Sequence, residues 1–168
     1  MKNLLKIVFV VALATLANNM FAQKFAHINR TELIQSMPDF KTAQDKLEAY
    51  GKELSSNLEE IQVEYNKKLN ELQQNGDKWS EEKKEIKVQE LQRIQKSYQD
   101  QEAASQELFS KKQEDLIAPV LKKAADAINK VAKNGNYIYV FESTAIHYVD
   151  EAQSTNILPA VRKELGIN

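Results

Sequence analysis

The chain has 168 residues, 28% of them charged, with a formal net charge of −1, no cysteine, 4 Gly and 3 Pro. Without cysteine there are no disulfides to compensate for a thin core and no thiol to carry a lipid anchor, so the chain must hold itself together by packing, length or association. Removing Lys2 and Lys6 leaves a charge of about −3, spread without long runs of one sign, which gives little counterion-release drive toward nucleic acid and little pull toward anionic lipid.

The first 22 residues read as an export signal. Lys2 and Lys6 flank a start that runs into Ile7 to Ala17, apolar but too short to span a bilayer comfortably, and small residues precede the polar chain. Cleavage is expected after Ala22, or after Ala17. A protein working outside the cytoplasm follows, soluble and not a lipoprotein. Residues Lys24 to Asn29, with Phe25 and Ile28, read as a strand.

Pro38 suits a first helical turn. From there apolar residues recur at gaps of three and four: Phe40, Ala43, Leu47, Tyr50, Leu54, Leu58, Ile61, Tyr65, Leu69 and Leu72. The seam begins with heptad spacing and continues, from Tyr50 to Ile61 and from Ile61 to Leu72, in steps of eleven residues. The period thus drifts from about 3.5 toward about 3.67, and the helix should be nearly straight. Its length should be roughly 50 Å at about 1.5 Å per residue. Gln74-Asn75-Gly76-Asp77 is a strong break, and Ser80 followed by Glu81 and Glu82 supplies a cap and an acidic first turn for a returning helix. That helix carries Ile86 or Val88, Leu91, Ile94, Tyr98, Ala104, Leu108, Phe109, Leu116 and Ile117, but seam positions near 101, 105 and 112 are Gln, Ser and Lys. A hairpin with one good stripe and one interrupted stripe should open at its tip at low cost.

Beyond the hairpin, Pro119 to Lys133 reads as a helix with Val120, Leu121, Ala124, Ile128, Val131 and Ala132 on one face, ended by Asn134-Gly135. Strands are predicted at Asn136 to Glu142 and Ala145 to Val149, with a closing helix near Ile157 to Leu165. In the first of these strands Tyr137, Tyr139 and Phe141 point one way and Ile138 and Val140 the other, so both faces want cover. The fold class is therefore α+β and mainly helical: a small β-rich body of residues 23–36 and 119–168, with a long antiparallel helical hairpin of residues 37–118 inserted in it. Such a body is marginal alone, and association of copies is the economical way to bury Phe25, Ile28, Tyr137, Ile138, Tyr139, Val140, Phe141, Ile146 and Tyr148.

The residues give no support for catalysis. His27 and His147 fall in predicted strands without a metal-ligand partner at useful spacing, and adjacent glutamates such as Glu59-Glu60 diverge on a helix. No phosphate-cradling glycine loop or nucleophile motif is present, so no enzyme and no cofactor or metal are expected.

The order of elements resembles the Skp/OmpH family of periplasmic chaperones for outer-membrane proteins. The resemblance covers the whole mature chain and is most specific at the C-terminal stretch, in Gly135, Tyr137, Glu142, Ala145, Ile146, Tyr148 and the run from Asn156 to Leu165. It implies a periplasmic homotrimer whose bodies join and whose helical arms enclose a cavity. Unfolded outer-membrane β-barrel proteins would be held there without ATP and kept from aggregating. Tyr50, Tyr65, Trp79, Tyr98 and Phe109 are then candidate client contacts, although the four outside the tip also fall at spacing that would staple the two helices together. Trp79, beside the tip, either plugs the turn or touches a partner or a membrane surface, without stable insertion. The competing expectation is a structural or adaptor protein of the cell envelope that bridges fixed partners.

Overall fold

The computed structural model describes residues 24–167; the expected export signal lies outside the described residues. In chain order the elements are β1 (Lys24–Ile28), α1 (Arg30–Ser36), α2 (Pro38–Asn75), a 3-10 turn at Gly76–Lys78, α3 (Glu81–Asn134), β2 (Tyr137–Glu142), a second 3-10 turn at Ser143–Ala145, β3 (Ser154–Asn156) and α4 (Leu158–Glu164). Long helices and a small parallel sheet of three strands make this the α+β, mainly helical fold that the sequence predicts. The described residues divide into two compact units, one made of residues 24–33 and 124–167, the other of Ile34–Lys123.

In the first unit the strand order is β2-β1-β3 and both pairings are parallel. β1 is central because its residues alternate usefully: Ala26 and Ile28 enter a core shared with Leu33, Ala124, Ala127, Ile128, Ile157, Leu158 and Val161, while Phe25 and His27 take the other face. Parallel strands need long crossovers, and here more than a hundred residues separate β1 from β2. The register shifts between Lys24 and Phe25, which pair with Tyr137 and Tyr139, so Ile138 is the extra residue of a bulge.

Local chemistry fixes the joints. Asn29 caps α1: its side-chain oxygen accepts from the Glu32 N–H at 3.0 Å and its carbonyl from the Leu33 N–H at 3.1 Å. Both carboxylate oxygens of Glu142 accept from the Arg30 N–H at 3.3 Å, tying the end of β2 to the start of the same helix. After α3, Asn136 takes the left-handed conformation (φ 54°). Gly135 is required for a different reason, since a Cβ there would sit 2.2 Å from Tyr137 Cε2. The Gly-x-Tyr pattern is thus one steric unit.

Several expectations need correction. The strand predicted at Ala145–Val149 does not form. Ser143–Ala145 is a 3-10 turn, Ile146 is extended (φ −114°, ψ 126°), and the segment joins no ladder; the chain turns at Asp150, whose carbonyl accepts from the Gln153 and Ser154 N–H groups, and enters β3. The third strand is instead the polar Ser154–Asn156, fixed by pairing with Phe25, Ala26 and His27. Helix α1 adds to the expected elements. Pro119 does not begin a separate helix; α3 runs through it, losing the single backbone bond that residue 119 cannot donate.

In the second unit α2 and α3 run antiparallel. Asp39 pairs with Lys123 at 2.6 Å at one end and Lys68 with Glu90 at 3.3 Å near the other. Every predicted seam residue of α2, from Phe40 to Leu72, is buried or half-buried. On α3 the outcome is mixed. Leu91, Ile94, Tyr98 and Phe109 turn inward, but Ile86, Val88, Ala104 and Leu108 are exposed, and Lys84, Lys87, Gln101 and Ser105 occupy the more enclosed positions. The tip is built as predicted, with Ser80 Oγ accepting from the Lys83 N–H at 3.4 Å and the Trp79 N–H donating to the Gly76 carbonyl at 3.1 Å.

Candidate functional site

The five aromatic residues singled out on the hairpin do not form one site. They lie at successive heights along it, because a helix rises about 1.5 Å per residue and their spacing is large. The one pair brought together is Tyr65 on α2 and Tyr98 on α3, which line a groove of about 320 Å³ with Ile61, Ile94, Gln62, Gln95, Gln99 and Glu102. The apolar floor comes from seam positions. The glutamines come from the positions that flank them, a signal carried in the sequence by Ile94-Gln95 and Tyr98-Gln99 that a search for apolar stripes misses. Such a groove offers aromatic faces beside amides that both donate and accept hydrogen bonds.

Tyr50 is half-buried, with the Lys112 ammonium 5.5 Å from its ring centroid. The lysine that interrupts the stripe therefore covers an aromatic face. Phe109 packs against Gly51, where a Cβ would come 3.2 Å from the ring edge, so the glycine in α2 makes room for a large residue on α3. One turn away, Ser105 is only 6% exposed and its hydroxyl has no hydrogen-bond partner. Both residues border an open cavity of about 590 Å³ with Leu54, Leu58 and Glu102. At the tip Trp79 is half-buried under the Lys83 ammonium, 4.6 Å from the ring centroid.

Charge on the hairpin is arranged locally. Lys87 and then Lys68 donate to the Glu90 carboxylate, at 3.1 and 3.3 Å, and hold its carboxyl below the usual range. The same bond to Glu90 raises Lys87. Lys52 lowers Glu48 in the same way through a bond of 2.6 Å along one helix face. These are solvated pairs, worth little each.

In the sheet unit the face opposite the core is aromatic. Phe25 stacks on Tyr139 with centroids 6.4 Å apart and planes 5° from parallel, and Phe141 lies 6.4 Å from Phe25 and 5.9 Å from Tyr139. Tyr139 is nonetheless 60% exposed and Phe141 is exposed too. A groove of about 280 Å³ links Phe25 and Phe141 to Ile146, Tyr148 and Val149. A second groove, about 390 Å³, runs from Ile138 and Val140 past Tyr137 to Ile128 and Ala132. Of the residues expected to join subunits, Ile28 lies in the chain's own core, Tyr137 and Val140 are half-buried, and Ile138 and Tyr148 stand open to water. His27 is buried, its Nδ1 2.9 Å from Ser154 Oγ, while His147 is exposed. Among the described residues no cluster of three or more His, Cys, Asp or Glu side chains could hold a metal, and no helix is long and apolar enough to cross a membrane.

A long helical hairpin with an uneven seam and a small parallel sheet with an exposed aromatic face define a mainly helical α+β protein. The model of the outer membrane protein (OmpH-like) family aligns with residues 24–165, and the chain belongs to that family. Among its curated relatives, the chaperone protein Skp of Vibrio cholerae is 23% identical over 88% of this chain and 90% of its own length. Skp of Photorhabdus luminescens is 25% identical over 94% of each chain. The crystal structure of an OmpH-like protein from Caulobacter crescentus CB15 superposes with a TM-score of 0.75 at 13% identity, covering 85% of this chain and 83% of that one, a likeness of fold.

Proposed function

We propose that this protein is an ATP-independent holdase of the periplasm that binds unfolded outer-membrane β-barrel proteins between helical arms and prevents their aggregation. The observation that carries the reading is the match to Skp chaperones along nearly the full length of both chains. In this reading residues 23–36 and 119–168 form the body and residues 37–118 the arm. Copies join through their bodies as a homotrimer. A parallel sheet is ordinarily covered on both faces, and the exposed Tyr139, Phe141 and Ile138 favour cover supplied by other copies.

Binding would rest on many weak contacts. The groove at Tyr65 and Tyr98 offers apolar surface beside hydrogen-bonding amides, which suits an unfolded chain with exposed side chains and unpaired backbone. Tyr50, Trp79 and Phe109 add further contacts along the arm. Several arms acting together raise the effective concentration, so individually feeble contacts retain a client while fast exchange leaves it releasable. No fuel is required, because folding into the membrane offers the client a lower free energy.

The test is dilution of a urea-unfolded β-barrel membrane protein into buffer with and without the mature chain. Light scattering is expected to fall as the chaperone reaches stoichiometric excess. Undiminished scattering at that excess would reject the holdase, and recovery of only one constant partner from envelope extract would favour the adaptor.

A further inference from the structure

Three grooves on the hairpin join into one. A groove of about 480 Å³ lies along Gln44, Glu48 and Lys52. It shares Gly51, Ser55 and Phe109 with the cavity of about 590 Å³, which in turn shares Glu102 with the groove of about 320 Å³ at Tyr65 and Tyr98. They keep to one flank because their residues recur by sevens, close to two full turns: Gln44, Gly51, Leu58 and Tyr65 on α2, and Gln95, Glu102 and Phe109 on the opposing α3. From Gln44 to Tyr65 the helix rises about 32 Å, at about 1.5 Å per residue. An extended chain at about 3.3 Å per residue covers that distance in about ten residues, the length of one membrane-spanning β-strand.

Charge along this flank is concentrated at one point. The charged residues that line it are Glu48, Lys52 and Glu102. Glu48 and Lys52 neutralise each other across 2.6 Å, whereas Glu102 is exposed and has no ion pair among the described residues. A lone carboxylate between the Tyr65–Tyr98 pair and Phe109 is complementary to a cation carried by an otherwise apolar occupant. Hydrogen bonding points to a polypeptide. Ser105, only 6% exposed, lines the middle of the groove with a hydroxyl that has no partner. The flanking glutamines add amides that donate and accept, and an extended backbone carries the matching N–H and C=O groups, which an apolar ligand lacks.

We propose that this flank of a single hairpin holds one extended peptide segment of about ten residues, with a lysine or arginine crossing Glu102 and apolar or aromatic side chains over Phe109 and the Tyr65–Tyr98 pair. This rests on the holdase reading above and deepens it, naming the length of client that one arm grips and Glu102 as the residue that selects it. A strand of a membrane barrel alternates apolar and polar side chains over that length, so its unfolded form presents both kinds of group to the groove. Because the groove lies between two helices of the same chain, gripping a segment needs no second copy.

Fluorescence anisotropy tests this on the chain lacking residues 1–22, with labelled, end-blocked peptides of alternating tyrosine and threonine that carry one interior lysine. Affinity should climb with peptide length up to about ten residues and level off beyond. Glu102→Gln should weaken binding about two- to fivefold, the range of an exposed ion pair. Glu102→Lys should transfer the preference to a peptide whose lysine is replaced by glutamate. Ser55→Tyr, at an exposed position shared by two of the grooves, should block the flank and leave the helical circular dichroism signal intact. Binding that ignores both the charge reversal and Ser55→Tyr, or that keeps climbing well beyond about ten residues, overturns the groove. So does a Ser55→Tyr variant that lowers the subunit mass in light scattering at unchanged peptide affinity, since the flank would then join copies. No peptide binding by a chain that still suppresses aggregation of an unfolded barrel protein overturns the groove and leaves the holdase standing; failure in both assays overturns the holdase. Should Ser55→Tyr lose its helicity, the charge reversal at Glu102 decides.

Discussion

In the sheet unit Ala26, Ile28, Leu33, Ile157 and Val161 are all but closed to water, whereas along the 38 residues of α2 only Ala43 and Leu54 are buried. The first unit concentrates its apolar contacts in a small core tied by caps and ladder bonds. The second spreads them thinly along two helices. Hydrophobic stabilisation scales with the apolar area removed from water, so the same residue types contribute more per position in the first unit than in the second. A client-holding arm would benefit from that thinness, since surface left open within a seam is surface that another chain can cover.

Substitutions can break or sharpen this contrast. The largest effect is expected from Leu33→Ala, which empties a fully enclosed site and should cost about 2–5 kcal/mol, read as a lower urea midpoint. Next is Gly135→Ala, whose new methyl would collide with the Tyr137 ring; overpacking of this kind costs about 1–3 kcal/mol and should appear in the same measurement. In the hairpin the sign should reverse. Ser105→Ala removes a buried hydroxyl without a partner, a group whose desolvation costs about 1–3 kcal/mol, so the variant should raise the midpoint of helix melting followed by circular dichroism. If it lowers the midpoint, the seam at that height is better satisfied than the geometry says.

The smallest effect is one of pH. Glu90 is held below the usual carboxylate range by Lys87 and Lys68, so its contribution to the folded state is complete above that range and is lost as pH falls through the lowered value. Helicity should soften slightly on acidification below the ordinary carboxylate range, and Glu90→Gln should remove that share of the dependence.

The hairpin is legible in the sequence because its signals are local. A Pro-led start, recurring seam residues, the Asn75-Gly76 break and the Ser80 cap each act within a few positions, and the seam of α2 comes out residue by residue. The return helix is harder to read. Its stripe is weak enough that Lys87 and Ser105 lie inward while Ile86 and Leu108 lie outward, which apolarity alone cannot foretell. The sheet is half legible. β1 and β2 have strand composition, but the polar β3 is a strand only because His27 and its neighbours lie alongside, and Ile146–Val149 has the composition without the neighbour. Helix α1 has its own local sign in Asn29 followed three residues later by Glu32, a capping pattern overshadowed by the strand composition just before it. The grooves require the fold, since Tyr65 meets Tyr98 only once α2 and α3 are paired.

The central strand comes first along the described chain, and both of its neighbours come near the end. Its ladders therefore close loops of more than a hundred residues, while the hairpin closes through a tight turn at Gly76–Lys78. Loop closure of that length slows assembly far more than it weakens the finished state. For a chain that emerges N-terminus first, the hairpin can form during emergence, but β1 must wait, unpaired, until the last thirty or so residues arrive. Until then a strand-ready segment is the exposed element of this molecule, and the finished sheet begins as an aggregation hazard.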